Sequence, residues 1–281
     1  MQSPHPADAG WFDESVFSDI LYPCEILHNM RTSLRTTSSH LDKVYARYGE
    51  VRPHHSAPST AKDLIGGKDD VFRKFFLPLL PVHKDASILD IGCGYGELLC
   101  FLQREGYSHT QGIDLNPQQV EVASALGVSN LYCGDSREFL MQADRSFDFI
   151  SAIDVLEHIP KSQVLEILDL IHAALSPGGL FLCQVPNLAA FYTPLFYMDF
   201  THETPFTATS LKQALQIAGF ANVNVAAMGP VIHGAKSVVR SLLWKGITAG
   251  LRFIQTVEGG PRGPLDSIYT AAIYATAEKR R

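Results

Sequence analysis

Three short stretches hold the side chains that could do chemistry. The first, 88–97, reads ILDIGCGYGE: an apolar run holding Asp90, then Gly92, Gly94 and Gly96 around Cys93, then Glu97. Bare backbone at alternate positions lets the chain turn sharply and lets a ligand reach its amide groups. A dinucleotide loop needs G-x-G-x-x-G, and here the sixth position is Glu97. A carboxylate in the first helical turn, with Asp90 just ahead, repels the pyrophosphate that such a helix end otherwise attracts. A phosphate-free ligand bearing an ammonium and a sulfonium finds the same acids favourable.

The second stretch, DVLEH, offers Asp154, Glu157 and His158. His158 can take a proton near neutral pH. Oxygen and nitrogen donors on one loop also suit a hard or borderline divalent cation. The third, 186–211, places six aromatics (Phe191, Tyr192, Phe196, Tyr197, Phe200 and Phe206) around a polar knot of Asp199, Thr201, His202 and Glu203. Aromatic faces with a few directed polar groups are what a sugar ring or a flat phenol needs. The competing reading is a satellite hydrophobic cluster with polar groups at the surface.

These residues need a scaffold, and the patterning supplies one. From residue 87, strand-like segments SILDIG, TQGIDL, NLYCGD, FDFISAIDV and GLFLCQVPN alternate with helical ones at 95–106, 117–127, 136–142 and 161–175. Nearly continuous apolar strands alternating with helices argue for a parallel sheet covered on both faces. SPGG reads as a turn between the last of those helices and its strand. A helix at 208–219, a strand ANVNVAAM, a helical stretch at 236–254 and a last strand SIYTAAIYATAE follow. The fold class expected is α/β: a doubly wound, mostly parallel seven-stranded sheet with an N-terminal helical extension and a helical insertion before the last strand. In such a sheet ligands bind beyond the carboxyl ends of the strands, which is where all three stretches fall.

The chain has 281 residues and a net charge of -6. That is enough for one large domain with appendages, and it offers no basic footprint for nucleic acid. No apolar run approaches the ~20 residues that span a bilayer. The first residues lack the basic start and apolar stretch of a secretory signal. Cys24, Cys93, Cys100, Cys133 and Cys183 are an odd count without a C-x-x-C pair, which fits free thiols in a reducing cytoplasm. In the first 66 residues, Phe12, Val16, Phe17, Ile20 and Leu21 have helical spacing, and a second helix is expected through SSHLDKVYARYG. His54 and His55 stand in a Pro-rich loop, where adjacent histidines are usually solvated.

The charge pattern of the glycine loop is met by S-adenosylmethionine, and a family resemblance points the same way. ILDIGCGYGELLCFLQREGY together with GIDLNPQQVEVA resembles the nucleotide-binding half of class I S-adenosylmethionine-dependent methyltransferases over residues 85–187. The resemblance implies that Asp90, Gly92, Cys93, Gly94 and Gly96 border the methionine part of that cofactor. It further implies that Asp114, with Leu115 beside it, takes both ribose hydroxyls, a task suited to a carboxylate. Asp135 and Ser136 would meet the adenine, Asp135 having helix capping as its alternative role. Ile153 would pack near the cofactor. Asp154, Glu157 and His158 resemble the acid-x-x-Glu-His arrangement with which ubiquinone-biosynthesis O-methyltransferases hold a divalent metal. The role expected here is loop ordering and lining of the cofactor.

The third stretch resembles the D-x-T-H-E-x-x-F-T segment of methyltransferases that act on sugar hydroxyls of polysaccharides and glycolipids. That resemblance implies a sugar acceptor, with His158 or His202 as base, Asp199 beside them, and Tyr192, Tyr197, Phe200 and Glu203 at the acceptor. The expected organisation is therefore an extension or lid at 1–66 and a methyltransferase domain at 67–281. Within the latter, 186–207 forms the acceptor-side loop and 230–262 the insertion. Phenol or quinone-precursor methylation with a metal is the alternative chemistry. A catalytically silent binding subunit is the alternative class, against which the complete glycine loop weighs. Finally, 236–254 carries Val239, Leu243, Ile247, Leu251 and Ile254 along one stripe, with Lys236, Arg240, Lys245 and Arg252 nearby. It is expected to dock on the protein's own core or on a second copy, with peripheral membrane contact as the alternative.

Overall fold

A computed structural model describes residues 57–143, 146–191 and 195–281. The two N-terminal helices expected from the sequence, Cys24, the His54–His55 pair and Tyr192 lie outside these residues.

Seven strands form one sheet: β1 (Ser87–Ile91), β2 (His109–Asp114), β3 (Leu131–Cys133), β4 (Phe147–Ile153), β5 (Leu175–Pro186), β6 (Ala221–Ala227) and β7 (Ala272–Glu278). Their order is β3-β2-β1-β4-β5-β7-β6. The first five run parallel, and β7 is antiparallel to both β5 and β6. The helices of seven residues or more among the described residues are α1 (Glu97–Arg104), α2 (Pro117–Ala125), α3 (Ser136–Gln142), α4 (Val164–Ala174), α5 (Ala208–Ile217) and α6 (Ala235–Gly259). Strand order reverses between β1 and β4, which opens the ligand crevice at the carboxyl end of β1.

Period-two side-chain alternation divides the strands between two cores. Leu89, Ile150 and Phe181 pack with Ile167, Leu168 and Ile171 of α4 on one face. Ile88, Phe149 and Leu182 pack with Phe101 and Leu102 of α1 and with Phe72 and Phe76 on the other. Both faces of the central strands are thus dry, which accounts for their unbroken apolar runs. Caps set where the helices start. Asn116 accepts from Gln118 N and Gln119 N ahead of Pro117 in α2, and Asp135 accepts from Arg137 N in α3.

One expectation is corrected. SPGG does not separate helix from strand, because β5 runs straight through it. The pairing steps from Phe147↔Leu175 to Phe149↔Leu180, so the extra residues are absorbed as a bulge with Gly178 at φ 83°.

Candidate functional site

The glycine loop leaves β1 and turns into α1 under tight constraint. Gly92, Gly94 and Gly96 have φ of 65°, 56° and 78°, a region that L side chains enter only at a cost. Their surroundings differ. A Cβ at Gly92 would lie 2.4 Å from Val155 Cγ2, so that glycine is needed for packing against the loop after β4. Gly96 caps α1 and abuts Val128. Gly94 is the least crowded of the three, with Gln119 Oε1 at 3.7 Å and Glu97 Oε2 at 3.8 Å from where its Cβ would stand. Of the three, Gly94 leaves the most room for a ligand to approach the backbone. Cys93 turns its side chain into the core against Gly112, and burial pushes its thiol well above the ordinary range. It offers the site its backbone alone.

Carboxylates surround this loop. Asp90 is buried and paired in register with Ser151, whose Oγ donates to Asp90 Oδ1 at 2.7 Å. Burial pushes the Asp90 carboxyl up to about 7. The Ser151 hydrogen bond opposes this, while Glu97 and Asp114 push it further up. Asp114 accepts from Gly94 N and from Asn116 N, each at 2.8 Å, so it joins the glycine loop to the start of α2. Burial raises its carboxyl, against the pull of those two backbone donors and of the Leu115 backbone. A carboxylate has about four lone-pair sites, so Asp114 can still accept beside its backbone donors, as a ribose hydroxyl requires. Leu115, next in sequence, is exposed. Glu97 is paired with Lys68 at 2.7 Å. The donor set fits a cationic, phosphate-free ligand: the acids are of one sign, and the bare backbone lies between them.

Asp135 has the capping role in full. It is paired with Arg137 through Oδ2–Nη2 at 2.7 Å and Oδ1–Nε at 3.2 Å. Burial raises its carboxyl, yet the Arg137 bonds outweigh burial and leave it below the usual range. Ser136 follows it as the first residue of α3, and Ile153, half-buried, ends β4.

Beyond β4 the chain makes a short turn, Leu156–His158, that is sewn to the third stretch. Glu203 N and Thr204 N both donate to Glu157 O, at 2.7 and 3.0 Å, and Thr204 Oγ1 donates to Ile159 O at 2.6 Å. Thr201 Oγ1 donates to Asp199 Oδ1 at 2.6 Å and lies 2.8 Å from His158 Nδ1. The hydroxyl proton being committed to the carboxylate, Thr201 accepts from His158. That fixes the proton on Nδ1 and the ring's lone pair on Nε2. The His202 ring lies 4.6 Å from that of His158, edge to face. Its Nδ1 is 2.8 Å from Phe196 O, a pure acceptor, and its Nε2 is 4.0 Å from Glu157 Oε1. Both side chains of that pair are almost closed off from solvent.

The residues that converge are not the expected trio. Glu157, His158 and His202 bring ligand atoms within 4.8 Å of one another. Asp154 stands apart: it is exposed, in the left-handed region at φ 54°, and its Oδ1 accepts from Gln184 Nε2 at 2.9 Å. The aromatic wall also divides. Phe196 and Phe206 are buried, whereas Phe191, Tyr197 and Phe200 are exposed, Phe200 almost completely at 97%. Glu203 is exposed too. Tyr197 and Phe200 thus stand at the rim, not along an enclosed wall, because the buried pair already fills the space under the loop.

Sequence reasoning missed Ser151, Gln184 and Asn187. Buried Asn187 donates from Nδ2 to Ile268 O and Thr270 O, both at 2.9 Å, and pins the aromatic loop to the approach to β7. A polar residue inside or just past an apolar strand was the available signal for all three.

Comparison with known proteins bears on this arrangement. A family model described as "Methyltransferase domain" matches residues 68–225, more than half of the chain. A ubiquinone biosynthesis O-methyltransferase of Xylella fastidiosa is 31% identical over 57% of this chain and 65% of its own length. A 2-methyl-6-phytyl-1,4-hydroquinone methyltransferase of Synechocystis is 30% identical over 45% of this chain and 41% of its own. The chain thus spans less than two thirds of either relative. An S-adenosylmethionine-dependent methyltransferase from Archaeoglobus fulgidus has the same fold, with a TM-score of 0.55 at 22% identity, covering 76% of this chain and 94% of its own.

Proposed function

The chain belongs to the methyltransferase-domain family, and from that premise we propose that it transfers a methyl group from S-adenosylmethionine to a hydroxyl oxygen of a small-molecule acceptor. The observation that carries the reading is the acid-ringed loop at Gly94, set on the same edge of the sheet as His158. When bound, the cofactor supplies a methyl group on a sulfonium, open to in-line displacement by an acceptor oxygen.

The chain's own residues do the rest. Asp90 and the backbone around Gly94 hold the cationic end, and Asp114 accepts from the ribose hydroxyls. Leu115, Ser136 and Ile153 border the base, with Asp135 holding the helix start beside it. His158, oriented through Nδ1 by Thr201 and Asp199, takes the acceptor proton at Nε2, a contribution of about 10²–10⁴ in rate. His202 supports this turn through Glu157 and the Phe196 carbonyl. The aromatics at the rim, Tyr197 and Phe200, meet the acceptor as it arrives.

Two acceptor classes fit. The D-x-T-H-E-x-x-F-T segment favours a sugar hydroxyl. A phenolic hydroxyl, as on a hydroquinone, is favoured by the relatives' names and by chemistry: a phenol, with pKa of about 10, yields its proton to an imidazole far more readily than an alcohol does. On that second reading a divalent cation would sit on Glu157, His158 and His202. A panel of catechols, hydroquinones, glycosides and primary amines, incubated with methyl-labelled S-adenosylmethionine with and without a chelator, tests both. Label on a phenol supports the second reading, and label on a glycoside the first. Label on an amine alone, or on nothing while the cofactor binds, would overturn the O-methyl proposal.

A further inference from the structure

α6 turns its apolar side away from the protein. None of its 25 residues is buried. Ser237, Ser241, Trp244, Thr248, Leu251 and Gln255, spaced three or four apart, form its half-buried side. Gln255 Nε2 donates to Asp266 O at 3.0 Å, and Tyr269 Oη donates to Gln255 Oε1 at 2.7 Å. On the other side Val239, Leu242, Leu243, Phe253, Ile254 and Val257 are 56 to 71% exposed. The stripe expected to dock on the protein's own core is therefore presented outward, with Leu251 alone on the inner side.

Charge singles out the occupant. The helix carries four cations, Lys236, Arg240, Lys245 and Arg252, against one acid, Glu258 near its C-terminal end, in a chain whose net charge is -6. On a helical wheel Lys245 and Arg252 flank one border of the apolar face and Arg240 the other, while Lys236 shares the angle of Ile254 at that second edge. Their long stems can lie along an apolar surface while the charged heads reach out at its edges. A second copy, stacked face to face, would set these four cations against four of the same sign, with only Glu258 of each copy to relieve them. An anionic lipid surface would meet them with the opposite sign and take up the apolar side chains between.

Position gives this face a use. β5 and β6 both run antiparallel to β7, with Val185 and Ala227 each opposite Ile273. α6 therefore springs from the carboxyl edge of the sheet, the edge that holds the glycine loop and the turn with His158. No helix among the described residues is long and apolar enough to cross a membrane. At about 37 Å, α6 is long enough to lie along one.

We propose that α6 is a membrane-surface helix that seats the carboxyl edge of the domain on anionic lipid. The proposal stands on this helix and does not depend on the methyl-transfer reading. The test is sedimentation of the full chain with phosphatidylglycerol vesicles and with phosphatidylcholine vesicles, at low and at high salt, alongside sedimentation velocity without lipid. Binding to the anionic vesicles that weakens with salt is expected. Each cation near such a surface contributes about fivefold, so Lys245→Gln with Arg252→Gln should weaken binding about 30-fold. Leu242→Ser with Phe253→Ser, at exposed positions, should weaken it while leaving the thermal unfolding curve in place. Equal or absent binding to both vesicles would overturn the proposal. So would a lipid-free dimer that dissociates in the serine variant and ignores vesicles.

Discussion

Replacing Asp90 by asparagine should make the ligand-free protein more stable at pH 8 and a poorer binder of S-adenosylmethionine. Asp90 is 3% exposed, and burial lifts its carboxyl from 3.8 to about 7. The raised value means that the folded state holds a proton which the unfolded state releases between about pH 4 and pH 7. Stability from this group is thus full below pH 4 and lost as pH rises to 7. At about 1.4 kcal/mol per pH unit, the loss is about 4 kcal/mol by pH 8. Relaxation and water entry reduce such values, so a gain of about 2 kcal/mol is expected for Asp90→Asn, or about 4–8 °C in Tm. Asparagine keeps an acceptor for Ser151, so packing is preserved. The assay is thermal unfolding of both proteins from pH 5 to pH 8.5, without ligand and with S-adenosylmethionine or S-adenosylhomocysteine. The parent should lose stability across pH 5–7 where the variant does not. The parent should also gain more from the sulfonium ligand as pH rises, since that charge draws the Asp90 proton off. A variant less stable than the parent at pH 8, or one with the parent's pH slope, would refute the burial argument.

Gly94→Ala should cost folding only about 1–2 kcal/mol, from its positive φ, yet lower cofactor affinity at least tenfold, as calorimetry would read. Gly92→Ala should instead lose about 2–4 kcal/mol in denaturant titrations, because its Cβ meets Val155 at 2.4 Å. Thr201→Val should lower kcat about tenfold and shift the pH–rate profile, with KM little changed and Thr201→Ser restoring both. Asp154→Ala, which removes the acceptor of the 2.9 Å bond from Gln184, should leave kcat within about threefold.

The scaffold was legible because its signals are local. Runs such as SILDI and FDFISAI are apolar on both faces, and Asn116, Asp135 and Thr207 cap the helices that follow them. The glycine loop was legible for the same reason. What the sequence could not convey was contact across long separations. His202 meets Glu157 because the 199–204 segment hydrogen-bonds back to the turn after β4, a pairing that no spacing announces. Asp154 shares a motif with Glu157 and His158, yet its left-handed backbone turns it away toward Gln184. The stripe on α6 was visible as periodicity, but periodicity does not say which side faces out. Six aromatics in one loop read as a wall, and only packing could divide Phe196 and Phe206 from Tyr197 and Phe200.

The most direct test is a calorimetric titration of the purified chain, and of Asp114→Asn, with S-adenosylmethionine, S-adenosylhomocysteine, NAD and ATP. Saturable heat is expected from the first two, at least tenfold weaker in the variant, and none from the phosphate-bearing pair. Tight uptake of NAD or ATP with no response to either adenosyl ligand would contradict the account at its root.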